Sequence, residues 1–235
     1  MHTGGKEGVP NTHFDAIWYI LRNGCTWRGL SAEFGKWGTV FQFWNRLSRA
    51  GFTDFMHEIM ICGNEAEAVF FDSTHCKVHQ HANETGTHEE RGVGTSRGGL
   101  NTKIHAVVDV RGRLAAKLIF TAGNVSDFTV APDLTSDLKD VIGVGDKGYD
   151  SKAIREDLRS RGCEPCIPSR KNTKVPETYN ETLYRSRHCV ENVWQRVKVS
   201  RRVASRYEKT LRMFEFFVIL AVATVYERDS LWPPM

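Results

Sequence analysis

Tyr184, Arg187, Glu191 and Lys198 are the residues whose types and spacing first suggest chemistry. No Gly or Pro interrupts the segment from Tyr184 to Lys198, so a helix is expected there. On that helix the four side chains share a stripe roughly 60° wide and about 21 Å long. Val190, Val193, Trp194 and Val197 fill the adjoining face and would dock the helix on a core. A lone carboxylate among cations at the edge of a docked helix is a candidate metal ligand facing a polyanion. An ordinary amphipathic helix with solvated charges would show the same pattern, so the helix alone does not decide.

Two earlier segments supply further acids. Ala68-Val-Phe-Phe-Asp72 and Val141-Ile-Gly-Val-Gly-Asp146 are each a short apolar run ending in Asp. Each reads as a buried strand that delivers a carboxylate at its C-terminal end, where open α/β sheets place their chemistry. A single strand-end Asp is more often a cap or a turn former. Two of them with Glu191 make three carboxylates, enough to hold divalent cations through oxygen.

The spacing of Tyr184, Arg187, Glu191 and Lys198 resembles the signature of bacterial insertion-sequence DDE transposases of the IS-four and IS-five type. Asn23-Gly-Cys-Thr-Trp-Arg-Gly-Leu30, Arg97 to Asp109, Gly145-Asp-Lys-Gly-Tyr-Asp150 and Arg201-Arg-Val-Ala-Ser-Arg-Tyr-Glu208 are similar to stretches of the IS-five group. The likeness runs from about Pro10 to Tyr226. It implies an RNase H-like mixed sheet flanked by helices, with Asp72, Asp146 and Glu191 as both catalytic triad and metal ligands. It also implies two Mg²⁺ ions per site, with Mn²⁺ as a substitute, about 4 Å apart along an in-line phosphodiester displacement. Asp72 would bridge the ions, and Asp146 and Glu191 would each complete one coordination sphere. The family signature further suggests that Arg187 and Lys198 hold phosphates and that Tyr184 stacks on, or hydrogen-bonds to, the strand near the cleavage point. Lys147, Arg201 and Arg202 are additional DNA-binding candidates. Asp109 and Asp127 are held as outer positions, and Asp150 as a helix cap.

The implied partners are double-stranded DNA with terminal inverted repeats and a target DNA, bridged by a homodimer. Two rival readings keep part of this: a catalytically silent DNA-binding protein of the same descent, and a metal-dependent nuclease without strand transfer.

The elements must position these residues. With 235 residues and 40% hydrophobic composition, the chain has material for one sizeable core and a small appendage. The formal charge is only +4, but residues 168–212 carry twelve Lys/Arg against four Asp/Glu, a local +8. Around a carboxylate-bearing helix such a stripe reads as a phosphate track. Cys25, Cys62, Cys76, Cys163, Cys166 and Cys189 are scattered and form no disulfide framework. The chain opens with no secretory signal, and its apolar run Phe216 to Tyr226 is too short to span a bilayer. A cytoplasmic protein acting on the bacterial nucleoid is expected. His75, His79 and His81 near Asp72, and Cys163-x-x-Cys166, resemble parts of a zinc site, but no second CxxC pair completes it.

Residues 1–63 are expected to be an all-α, helix-turn-helix-like DNA-binding domain, and 64–230 the catalytic domain. The Gly-rich stretch Met1 to Asn11 is shorter than the helical sequence usual ahead of the Trp-Arg segment in the family, so a shortened or frameshifted reading frame is expected. Helices are predicted over His13–Arg22, Gly38–Gly51 and Phe52–Cys62. Gln42, Asn45 and Arg46 on the second could read base edges. Strands are predicted near 67–74, 102–109, 114–121, 140–146 and 163–167, with helices near 126–138, 150–161, 181–204 and 209–228. The first three strands should pair antiparallel through a hairpin at Arg111-Gly112. The Gly- and His-rich loop Gln80–Gly99 and the Lys/Pro-rich loop Pro168–Asn180 suit either DNA contact or plain surface, and their sequence does not decide between them.

Overall fold

The computed structural model describes residues 12–61, 65–82 and 91–231, with side chains as far as residue 225. The predicted tail before residue 12, the boundary at 63/64 and His88 of the long loop lie outside the described residues.

Strand β1 (Ala68–Val78) is the axis of the sheet. Its side chains alternate between two faces, and both faces are covered, so the run is apolar throughout its first half. Phe70 and Cys76 point to one hydrophobic cluster, Val69 and Phe71 to the other. Antiparallel β3 (Gly99–Asp109) flanks β1 on one side, with Asp72 opposite Ala106. Parallel β5 (Ile142–Gly145) flanks it on the other, followed by β6 (Glu164–Cys166). The far edge of β3 is shared by short β2 (Gly94–Ser96) and β4 (Ile119–Ala122). Two-residue β7 (Ser205–Arg206) extends the sheet beside the end of β1.

Helices cover both faces. α4 (Asp127–Leu134) and α5 (Lys152–Ser160) pack against Val69, Phe71 and Val107. On the other face lie α7 (His188–Lys198) and α9 (Leu211–Leu231). Residues 214 and 216–222 of α9 are all buried, as expected of a helix apolar all round and enclosed by neighbours. No helix among the described residues is long and apolar enough to cross a membrane.

The N-terminal helices α1 (Thr12–Asn23), α2 (Trp37–Arg49) and α3 (Phe52–Ile61) join the α9 side of this core. Trp27 and Trp44 lie 4.7 Å apart between ring centroids, and Trp44 lies 5.0 Å from Phe217. Aromatic residues therefore pack α2 and the segment before it against α9. The tight helix–helix link lies between α2 and α3, while two short 3₁₀ turns separate α1 from α2. Gly51 ends α2 with φ +77°, a left-handed conformation that favours glycine. Asn45 is half-buried and accepts a hydrogen bond from Arg212 at 3.0 Å, whereas Gln42 and Arg46 stay exposed.

Three further predicted elements differ. β1 runs on past residue 74, because β3 continues to pair with it as far as Lys77, so Asp72 sits in mid-strand. The third strand begins at 119 and not 114; only Leu114 bridges Val108, and the Leu118 amide donates to His57 of α3. The long helix of 181–204 is three pieces: α6 (Glu181–Arg185), α7 and α8 (Arg201–Ala204).

The segment after α7 corrects the DNA-binding assignment of Arg202. That side chain is buried, donates to Glu208 at 2.6 Å and to the Cys25 carbonyl at 2.9 Å, and ties the first helical layer to the core. Arg206 is also buried; it donates to Thr102 and to the Glu208 carbonyl, and burial pulls its pKa down to about 10. Arg201 alone of this basic pair is exposed. Removing Glu208 would leave two buried guanidinium groups poorly compensated. Glu208→Ala should therefore cost about 3–5 kcal/mol, measured as a lower urea midpoint at unchanged slope. A loss below about 1 kcal/mol would mean the pair does not hold the layers together.

Candidate active site

Asp72 projects from β1 on the face covered by α7. Beside it, β5 pairs parallel with β1 up to Phe71 opposite Gly145 and then ends, so Asp146 follows in the next row. Two local features end β5 there. A Cβ on Gly145 would lie 2.1 Å from the Phe71 ring, so glycine leaves the room that this ring occupies. Asp146 then turns the chain: its Oδ1 accepts from the Gly148 amide at 2.7 Å and opens the tight turn Lys147–Tyr149.

The helix carrying Glu191 is held by its apolar face. Val190, Val193, Trp194 and Val197 are buried, as the spacing predicts. Arg187 stands at the joint between α6 and α7, one turn before Glu191. Its Nη1 lies 3.4 Å from Asp72 Oδ1, and its Nη2 donates to Glu191 Oε1. One guanidinium thus connects a strand acid with a helix acid. Tyr184 stands on α6 beside Arg187, whose charge opposes the upward shift that burial gives its hydroxyl pKa, and packs edge-on against Tyr179. Lys198 closes the other end of α7 by donating to Thr74 Oγ1 at 2.6 Å and to the His75 carbonyl at 3.0 Å. Lys147 is exposed beside Asp146.

Behind Asp72, on the opposite face of β1, lies a second polar group. Ser73 Oγ donates to Asp127 Oδ1 at 2.7 Å, and buried Lys103 reaches the same oxygen at 3.3 Å. His105 Nδ1 is 3.4 Å from it, and its Nε2 pairs with Thr121 at 2.9 Å. Burial pulls the His105 pKa down to about 4, despite the Asp127 charge, so the ring is neutral and Lys103 supplies the positive charge. Tyr149 packs its ring against Phe71, and its buried hydroxyl has no hydrogen-bond partner among the described residues. Burial raises its pKa well above the usual value, with the charges of Asp127, Asp72 and Asp146 adding to the effect.

Asp72 carries the electrostatic strain of the site. Burial pushes its pKa to about 6; Arg187 opposes the shift, while Asp146 and Asp127 reinforce it. A desolvated carboxylate beside further acids, with one guanidinium as near compensation, suits an additional cation. Among the described residues, no three His, Cys, Asp or Glu side chains converge tightly enough to cage an ion. Asp72, Asp146 and Glu191 offer oxygen donors only, the donor type that hard cations such as Mg²⁺ take. Among the described residues no zinc-binding group is assembled. Cys163 and Cys166 face opposite sides of the sheet, and His79 stacks on Tyr207 at 4.4 Å.

Several positioning residues escape a reading of motifs. Arg170 donates to the carbonyls of Lys147 and Gly148, both at 3.0 Å, and so braces the Asp146 turn. Its position among the lysines of a polar loop gives no local signal. Asp150 does not cap α5, where Ser151 takes that position. It binds Arg155 at 2.8 Å and the Arg170 amide at 2.7 Å instead. Asp109 closes the hairpin by accepting from the Arg111 and Arg113 amides, both at 2.9 Å.

Known proteins resemble this chain in family and fold. The family profile of the transposase DDE domain matches residues 63–226, and that of transposases of the IS4/5 family matches residues 2–57. A Brucella ovis protein assigned by its name to insertion sequence element IS6501 is 37% identical over 134 residues, covering 55% of this chain and 100% of the relative. A piggyBac transposase solved as a synaptic complex with hairpin DNA superposes with a TM-score of 0.53 at 10% identity. The match covers 83% of this chain and 53% of that one, so this chain spans about half the length of that relative. At this identity the likeness shows the fold, an RNase H-like mixed sheet flanked by helices.

The shifted Asp72 gives a pH dependence for the metal-free protein. Its folded pKa of about 6 lies above the unfolded value of 3.8, so the folded state binds the extra proton between them. Stability should fall as pH rises from about 4 to about 6, by up to about 3 kcal/mol. Urea unfolding of the wild type and Asp72→Asn across this window checks it. The stability difference between the two proteins should change with pH in the wild type's disfavour, and parallel curves would rule the shift out.

Proposed function

The chain belongs to the DDE transposase family, and from that premise we propose that Asp72, Asp146 and Glu191 are the carboxylates with which it cleaves and joins the ends of an insertion sequence. The observation that carries this reading is the convergence of Asp72 and Asp146 on adjacent strand rows, with Arg187 linking Asp72 to Glu191. Two Mg²⁺ or Mn²⁺ ions would be held by Asp72, Asp146 and Glu191. When bound, they supply an activated oxygen nucleophile and a stabilised leaving oxygen.

The chain's own residues do the rest. Asp72 and Asp146 are fixed by the sheet, so the acids are set before DNA arrives. Arg187 offers a planar fork suited to a phosphate, and exposed Lys147 and Arg201 add positive charge along the same track. Tyr184, half-buried beside Arg187, borders the strand to be cut. Lys198 positions α7 against β1 and leaves Glu191 exposed toward solvent. Gln42 and Arg46 of α2 are the side chains available for reading terminal repeats, with Asn45 partly engaged by Arg212. Residues 1–63 would recognise element ends, and 64–230 would carry out the chemistry. A homodimer on DNA, acting in the cytoplasm on the nucleoid, would bridge paired ends and a target.

The test uses labelled duplexes from the DNA flanking the gene, incubated with the protein and Mg²⁺ or Mn²⁺. Strand-specific cuts at a repeat terminus and joined products are expected. Asp72→Asn, Asp146→Asn and Glu191→Gln should each reduce them by about 10³-fold or more, because each removes a ligand worth several kcal/mol to the transition state. Cuts without joined products would indicate a nuclease, and metal-independent DNA binding alone a silent binding protein. Full activity in Glu191→Gln would remove that residue from the site.

A further inference from the structure

Arg187 is placed in a way that phosphate binding does not require. Its guanidinium lies between Asp72 and Glu191, with a side chain 17% exposed against 18% for Asp72 and 52% for Glu191. Its Nη1 is buried 3.4 Å from Asp72 yet makes no hydrogen bond, so this contact rests on charge alone. A divalent cation joining Asp72 to Glu191 would need the same space, and the repulsion between it and a guanidinium at contact distance is severe. The two cations exclude each other.

We propose that Arg187 is the built-in counterion of the metal-free site, surrendering Asp72 and Glu191 to an entering divalent ion and passing to a DNA phosphate. The proposal rests on the assignment of these carboxylates to the metal. Arg187 can move without unravelling its helix, because it stands at the joint between α6 and α7 while Val190, Val193, Trp194 and Val197 hold α7 in place. The same fork that spans two carboxylates matches two phosphate oxygens. Lys198 differs: its ammonium is satisfied by Thr74 Oγ1 and the His75 carbonyl, neither of them an acid of the site, so it does not compete with an ion. Metal and DNA binding are thereby linked through one side chain. An ion frees the guanidinium for phosphate, and phosphate holds it away from the ion's place, each binding event strengthening the other by the same factor.

The experiment is Mn²⁺ titration of the DNA-free full chain, with free Mn²⁺ followed by electron paramagnetic resonance, and circular dichroism to confirm folding. Arg187→Gln should bind Mn²⁺ roughly tenfold more tightly than the wild type, since a competing positive charge is gone. Arg187→Met, uncharged and of similar length, should do the same, while Arg187→Lys and Lys198→Gln should stay close to the wild type. Adding a short duplex should tighten Mn²⁺ binding in the wild type and leave Arg187→Gln unchanged. Asp72→Asn separates the two levels of inference. If it binds Mn²⁺ as the wild type does, the carboxylate assignment itself fails. If it loses Mn²⁺ while both Arg187→Gln and Arg187→Met bind no more tightly than the wild type, the counterion role is overturned and the assignment stands.

Discussion

Strand β5 runs parallel to β1 for four residues and ends at Gly145 opposite Phe71. That short pairing brings two acids far apart in sequence into neighbouring rows, and the remainder of the site is arranged around it. Gly145 leaves room for the Phe71 ring, the Asp146 turn ends the pairing, and Arg170 braces that turn from a distant loop. α7 then needs only to dock its apolar face for Glu191 and Arg187 to arrive over Asp72. Precision comes from the sheet, and the helix contributes charge.

Gathering acids in a partly buried place is costly, and the molecule meets that cost on both faces of β1. On the α7 side, Arg187 offsets Asp72 and Glu191. On the other, Lys103 and Ser73 hold Asp127, with His105 kept neutral by burial. The two sets are unequal: Lys103 is buried within its network, whereas Arg187 stands at a joint near solvent. Only the second is arranged to change partners. Fixed charge behind the strand and, on the proposed reading, exchangeable charge in front of it would suit a site for a cation and a polyanion together.

The fold was legible where apolar periodicity was long and uninterrupted. The runs 68–72 and 141–145 are short, unbroken and bounded by acids, and both are strands. The docked face of α7 followed from residues at helical spacing. The misread elements are those decided by partners far away in sequence. β1 continues beyond 74 because β3 keeps pairing with it, and the third strand starts late, where His57 of α3 takes the Leu118 amide. Arg202 reads as one more cation in a basic stripe. Only the approach of Glu208 and the Cys25 carbonyl turns it inward.

What the sequence determined by itself was chemistry by type: two strand acids, a helix acid, and cations at helical spacing around it. Local periodicity carries that information, because each face of a strand or helix is written in neighbouring residues. Tertiary structure decided which charges meet. Arg187 against both Asp72 and Glu191, Lys198 against β1, Arg170 against the Asp146 turn and Arg202 against Glu208 each unite separate segments. Such meetings depend on strand order and helix docking, which are set by burial of the whole core and leave no mark on the spacing of either partner.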